Sequence, residues 1–239
     1  MGSDRAKSIQ SCWELSYRRE MASKRIFDIS PLVSVRTAVF PGDVPFRRKV
    51  SLDFQTGSHL LLSSIESTLH LGAHADAPNH YHPQGIGIDQ VAIRPYLGRC
   101  QVLSVNVEPG KRIGVADLPE KEKTRIAAER FLIKTGSFSN SEIWSSEFNS
   151  LSPELIIFLA ERGVCLVGID TPSIDPAHSK ELESHQTVYD YQLAVLEGLV
   201  LDSVPDGVYS LIALPLKIEG ADASPVRAIL LEFSSQLET

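Results

Sequence analysis

The chain has 239 residues, 43% hydrophobic and 22% charged, enough to bury a sizeable core in one large domain or two small ones. Its 23 Lys and Arg against 30 Asp and Glu leave a net charge of −7 with no long basic run, which argues against nucleic acid and anionic membranes as partners. No apolar run approaches the roughly 18 residues of a membrane span. The three cysteines, Cys12, Cys100 and Cys165, are far apart and form no CxxC pair, so a reducing compartment, the cytoplasm, is expected.

Residues 1–25 read as an N-terminal arm, either a short helix at Cys12–Glu20 or disordered, and residues 26–239 as one domain. Ile26–Ile29 reads as an opening strand, and Val39–Pro45 as a loop punctuated by Pro and Gly. Lys49–Phe54 and His59–Glu66 read as strands on either side of Thr56-Gly57. Residues 64–74 read as a strand running into an irregular Asp76–His82 loop. Gly98–Val107 is expected to be a strand, Val115–Leu118 a helical turn and Arg130–Lys134 a short apolar strand.

Ser152-Pro153-Glu154 opens the clearest helix. Serine caps, proline occupies the first helical position, Leu155, Phe158 and Leu159 recur at helical spacing, and Gly163 ends it. Val164–Ile169 follows as a buried strand, with Cys165 an inert core thiol. Ser179–Ser184 reads as a helix, and Tyr191–Glu197, Tyr209–Leu216 and Val226–Phe233 as strands. Strands outnumber helices without sustained βα alternation, so one mixed α/β, β-rich domain is expected.

Three of the seven histidines fall within eleven residues, together with an aspartate: His70, His74, Asp76 and His80. All four positions are even-numbered, and an extended chain turns alternate side chains to one side. A helix is opposed by Gly72 and Pro78. Alternation is expected to fail near Pro78, turning His80 relative to the others. Imidazole nitrogen and carboxylate oxygen are donors for a zinc-like ion. Further donors in suggestive context are Asp170, Asp175, His178, His185 and Glu197. Glu197 lies in an apolar stretch, so it is either exposed at a strand edge or buried against a cation.

Segment 70–80 resembles the HxGTHxDxPxH signature of the cyclase-like metal-dependent hydrolases. The resemblance to the bacterial kynurenine formamidase (arylformamidase) branch continues through Phe27–Ser30, Pro41-Gly42-Asp43, Gly168–Asp170 with Ser173–Asp175, Ser179–His185, Ala213–Leu216 and Ala223–Ala228. It implies a swivelling β/β/α-type fold and a homodimer or higher oligomer. It also implies two divalent ions, both zinc, on His70, His74, Asp76, His185 and Glu197; donors of these types also suit manganese or cobalt. Asp76 and Glu197 would bridge the ions, and His80 would be the acid/base. The implied reaction is hydrolysis of N-formyl-L-kynurenine to L-kynurenine and formate.

Three positions depart from the family pattern. Ala73 replaces threonine and Gly198 replaces asparagine. Phe40 stands where a pocket-lining tryptophan is usual, keeping an aromatic face for substrate without the indole donor. Phe40 leaves open a sibling cyclic amide or lactone hydrolase, such as one opening isatin. A metal-binding protein without catalysis is the other alternative, although closed structural zinc sites favour cysteine.

Overall fold

The computed structural model describes residues 25–232. Along these residues run β1 (Ile26–Asp28), β2 (Arg47–Leu52), β3 (Leu62–Glu66), β4 (His74–Asp76), helix α1 (Pro78–Tyr81), β5 (Leu97–Ser104), β6 (Arg112–Ile113), α2 (Glu120–Thr124) and β7 (Arg130–Lys134). Then follow β8 (Ser150–Leu151), α3 (Pro153–Ala160), β9 (Leu166–Ile169), α4 (Glu183–Asp190), β10 (Ala194–Glu197), β11 (Gly207–Ile212), β12 (Ala223–Pro225) and β13 (Ile229–Glu232). The helix expected at Cys12–Glu20 and residue Phe233 lie outside the described residues.

Nine strands form one sheet in the order β1-β13-β11-β5-β7-β9-β10-β4-β12. The middle, β5-β7-β9-β10, is parallel, and the pairs outside it are antiparallel. The centre of β7, Phe131–Ile133, and the whole of β9 are buried and without polar side chains because both faces are covered. Leu132, Leu166 and Leu196 enter the apolar cluster on one face. Phe131, Ile133, Val167, Ile169 and Val195 enter the other, against Leu155, Ile156 and Leu159 of α3 and Val188 of α4. The period of two thus divides one apolar run between two cores. The result is a mixed α/β, strand-rich domain. β2 and β3 form a separate hairpin whose strand residues are all exposed.

The strand at Arg130–Lys134 and the Ser152-capped helix form where expected; Ser152 accepts from the Leu155 amide. Three expectations are corrected. Residues 64–74 are not one strand: β3 stops at Glu66, and Gly72, at φ +58°, turns the chain before β4 starts at His74. Segment 76–82 is not irregular, because Pro78 opens a single helical turn that carries His80. The helix expected at Ser179–Ser184 forms instead at Glu183–Asp190, so His185 sits in its first turn.

Candidate metal centre

Sheet register builds the first half of the site. β4 lies between β10 and β12, and antiparallel pairing puts His74 opposite Glu197 and Asp76 opposite Val195 and Ala223. His74 Nε2 is 3.3 Å from Glu197 Oε2 and 3.4 Å from Asp76 Oδ1. Its Nδ1 lies 2.9 Å from the Gly72 carbonyl oxygen, which can only accept. The Nδ1–H therefore points at Gly72, and the Nε2 lone pair faces the two carboxylates. Gly198 makes this close approach possible. Its φ is +64°, and a Cβ there would stand 2.1 Å from the Gly72 oxygen. Asparagine tolerates the left-handed conformation but would not fit that gap.

The second half hangs on Asp175. Leu182, at the start of α4, offers no side-chain cap. Asp175 takes that part from a distance, accepting the backbone amides of Ser184 and His185 at 3.0–3.1 Å. Asp175 Oδ2 also accepts His185 Nδ1–H at 2.8 Å. His185 Nε2 then lies 3.3 Å from both Asp76 Oδ2 and Glu197 Oε1. Glu197 Oε1 accepts the Ile174 amide at 2.6 Å. Burial alone would push Asp175 up, but the His185 ring and amide bonds overrule it and hold the carboxyl at about 2.

His70 lies between two carboxylates. Its Nδ1 is 2.9 Å from Asp76 Oδ1, and its Nε2 is 3.1 Å from Asp222 Oδ2. Burial pulls its pKa down, yet these carboxylates raise it to about 9. His80, on α1, has its ring centroid 4.1 Å from that of His70 and 6.3 Å from that of His185. Its Nδ1 is 3.7 Å from Asp222 Oδ2. Burial is the main cause that lowers its pKa, which keeps the ring neutral near neutral pH.

The donor set fits a divalent cation. His74 Nε2 is buried without a hydrogen-bond partner, and Asp76 Oδ1 has no well-aligned one, only the His70 ring 2.9 Å away. Lone pairs facing lone pairs in a low-dielectric interior are stabilised only by a positive charge between them. The buried Asp76 and Glu197 still have lowered pKa values: burial opposes this, and the surrounding imidazoles outweigh it. Donor atoms gather into His70–His74–Asp76 and Asp76–His185–Glu197, and a more exposed group joins His70, His80 and Asp222.

These groups open into a cavity of about 710 Å³. Its lining also carries Phe40, Phe138 and Trp144. The Phe40 and Trp144 ring centroids are 4.7 Å apart, edge to face, and Trp144 rests on the buried Phe148 at 6.0 Å. An indole is therefore present in the cavity, supplied from residue 144.

The fold thus brings His70, His74, Asp76, His80, His185 and Glu197 together. Asp175 stands behind His185. Asp170 also lines the cavity, but its carboxylate accepts from the Thr135 and Gly136 amides and the Thr135 hydroxyl. His178 joins none of the donor groups formed by the described residues. Sequence reasoning missed Asp222, Arg112 and Trp144. Asp222 had a weak signal, since it immediately precedes the Ala223–Ala228 motif.

Comparison with known proteins agrees with this architecture. Residues 17–176 match the Cyclase family, described as "Putative cyclase". The chain is 45% identical to a kynurenine formamidase of Bordetella petrii over 213 residues, 87% of this chain and 99% of that one. It is 43% identical to a kynurenine formamidase of Bordetella pertussis over 215 residues, 88% of this chain and 100% of that one. Among solved structures, isatin hydrolase A from Labrenzia aggregata superposes with a TM-score of 0.76 at 22% identity, covering 94% of this chain and 100% of that one. That likeness is one of fold.

Proposed function

We infer that this chain, which belongs to the cyclase family, is an arylformamidase that hydrolyses N-formyl-L-kynurenine to L-kynurenine and formate. The observation that carries the chemistry is the buried meeting of His74 Nε2, Asp76 and Glu197, acceptor against acceptor, at the floor of an aromatic-walled cavity. On this reading His70, His74 and Asp76 would hold one divalent ion, and Asp76, His185 and Glu197 would hold a second. Zinc is the first choice of metal and manganese the second, as imidazole and carboxylate donors suit either. Such ions, when bound, lower the pKa of water and polarise a carbonyl oxygen.

The chain's own residues do the rest. The Gly72 carbonyl fixes the His74 tautomer, and Asp175 fixes that of His185. His80, neutral at rest, takes the proton of the attacking water and delivers it to the departing aryl nitrogen, which cannot leave as a bare anion. Phe40, with Trp144 beside it, offers the aryl ring an edge-to-face wall.

The two-stranded hairpin supports a homodimer or higher oligomer. Two strands alone are marginally stable, yet it exposes Val50, Phe54, Leu62 and Ile65. Among the described residues no helix is long and apolar enough to cross a membrane. A cytoplasmic enzyme, with residues 26–239 as its catalytic domain after an N-terminal arm, fits the free Cys100 and Cys165 thiols.

Steady-state hydrolysis of N-formylkynurenine, isatin and simple anilides, with metal analysis of the same sample, tests the reading. Preferred turnover of N-formylkynurenine with two ions per chain is expected. Preferred ring opening of isatin would reassign the substrate, and full turnover after complete metal removal would refute the site.

A further inference from the structure

The two donor groups are backed unequally. Behind His70 stands Asp222, half exposed at the cavity. Behind His185 stands a chain of groups that starts at a fully buried carboxylate and ends at a partly exposed guanidinium. Asp175 is buried, and beyond it lies Arg112 of β6. Arg112 Nη2 is 2.9 Å from Asp175 Oδ1 and 2.6 Å from Glu183 Oε2. Its Nη1 donates to the Leu151 carbonyl at 2.8 Å and to the Ser184 hydroxyl at 2.6 Å. The guanidinium therefore spans β8 and the first turn of α4, the turn that carries His185.

A planar five-donor fork can hold such a set; a point charge cannot. It fixes Asp175 in the orientation that receives His185 Nδ1–H. A carboxylate on that proton makes the opposite nitrogen more basic and locks the ring's aim.

We propose that Arg112, acting through Asp175, is a positioning residue for His185 and makes Asp76–His185–Glu197 the tighter of the two ion positions. The proposal rests on the two-ion reading. His70–His74–Asp76 becomes the exchangeable position, because His70 is the more exposed ligand and its carboxylate partner is open to solvent. Desolvation strengthens charge interactions on the His185 side, while solvent screens them on the His70 side.

The test is stepwise removal of zinc from the loaded enzyme by dialysis against rising chelator, with metal analysis at each step. The wild type should release its ions in two steps. His74→Ala should abolish the easy step and keep the hard one. Arg112→Met should weaken the hard step by roughly 10–100-fold, the usual effect of losing an outer partner, and leave the easy step in place. Arg112→Lys should fall between the two. In protein loaded with ¹¹³Cd, Arg112→Lys should shift the resonance of the late-released ion alone, which a general loss of stability would not do. An unchanged hard step and resonance, or equal weakening of both steps, overturns the proposal. A wild type that holds a single ion refutes the two-ion reading and the ranking of positions. The Arg112 link is then decided by whether the same variants weaken that one ion.

Discussion

The floor of the cavity and its aromatic wall are built on different principles. The floor sets His74, Asp76, His185 and Glu197 on strands and a helix, all buried, each fixed by at least one backbone or side-chain partner. The wall sets Phe40, Phe138 and Trp144 on loops, and Phe40 is 38% exposed. Charges in a low-dielectric interior are costly when one partner is lost. Aromatic contacts at a half-open rim contribute by degrees. The floor should therefore fail all at once and the wall gradually.

The sharpest way to break that contrast is Asp76→Ala. Asp76 faces His70, His74 and His185. Its removal should abolish turnover and reduce bound metal more than His74→Ala does. Full metal occupancy and rate in Asp76→Ala would place the reaction elsewhere.

His80 belongs to the floor by position but not as an assigned ligand. His80→Asn should keep the metal content and lower kcat by about 10²–10⁴-fold, the usual contribution of an acid/base group. The loss should be greatest for poor leaving groups. A uniform loss across leaving groups would leave His80 an organiser of the site rather than its proton carrier.

The metal-free floor should also respond to pH. His70 titrates at about 9 in the absence of an ion, and a ligand must lose its proton to bind. Ion affinity of the apo-protein should thus rise with pH toward about 9, as read by zinc titration calorimetry in several buffers; His185, which burial pulls down but Asp175, Asp76 and Glu197 hold well above the ordinary imidazole value, adds to the same rise. The stability that His70 draws from its carboxylates has the opposite sense. It is present below the unfolded value near 6.5 and lost as pH rises through about 9. Affinity independent of pH between 6 and 9 would remove the proton from His70.

Between floor and wall lies Gly198. Gly198→Asn installs the residue usual in the family but sets a Cβ against the Gly72 carbonyl. Overpacking of this kind costs about 1–3 kcal/mol, a drop of roughly 2–12 °C in Tm. Unchanged thermal unfolding would show that the two turns separate easily. The smallest effect belongs to the wall. Phe40→Ala should raise KM about two- to twelvefold, equivalent to the ~0.5–1.5 kcal/mol of an aromatic pair, with metal content unchanged. Trp144→Ala should exceed it, since the indole bears on both Phe40 and Phe148.

The reading of strands and helices succeeded where local physics was decisive. Arg130–Lys134 was legible because its buried centre, Phe131–Ile133, is apolar without a break, and α3 because Ser152 and Pro153 mark its start. It failed at residues 64–82, where Gly72 reverses the chain inside what reads as a continuous strand and Pro78 opens a helical turn. It failed again at α4, whose cap is Asp175 and not a neighbouring residue.

By itself, the sequence determined which donor types lie together in one segment. His70, His74, Asp76 and His80 are close along the chain, so their donor types and spacing are visible locally. The tertiary structure decided how the rest assemble. Glu197 meets His74 only because β10 pairs with β4 in one register, and a slip of one residue would turn Glu197 to the other face. Asp222 reaches His70 through the β12 edge, Trp144 reaches Phe40 across a loop, and Arg112 reaches Asp175 from β6. Such meetings depend on strand order and register, which arise from packing the whole sheet and leave no periodic trace in the segments they join.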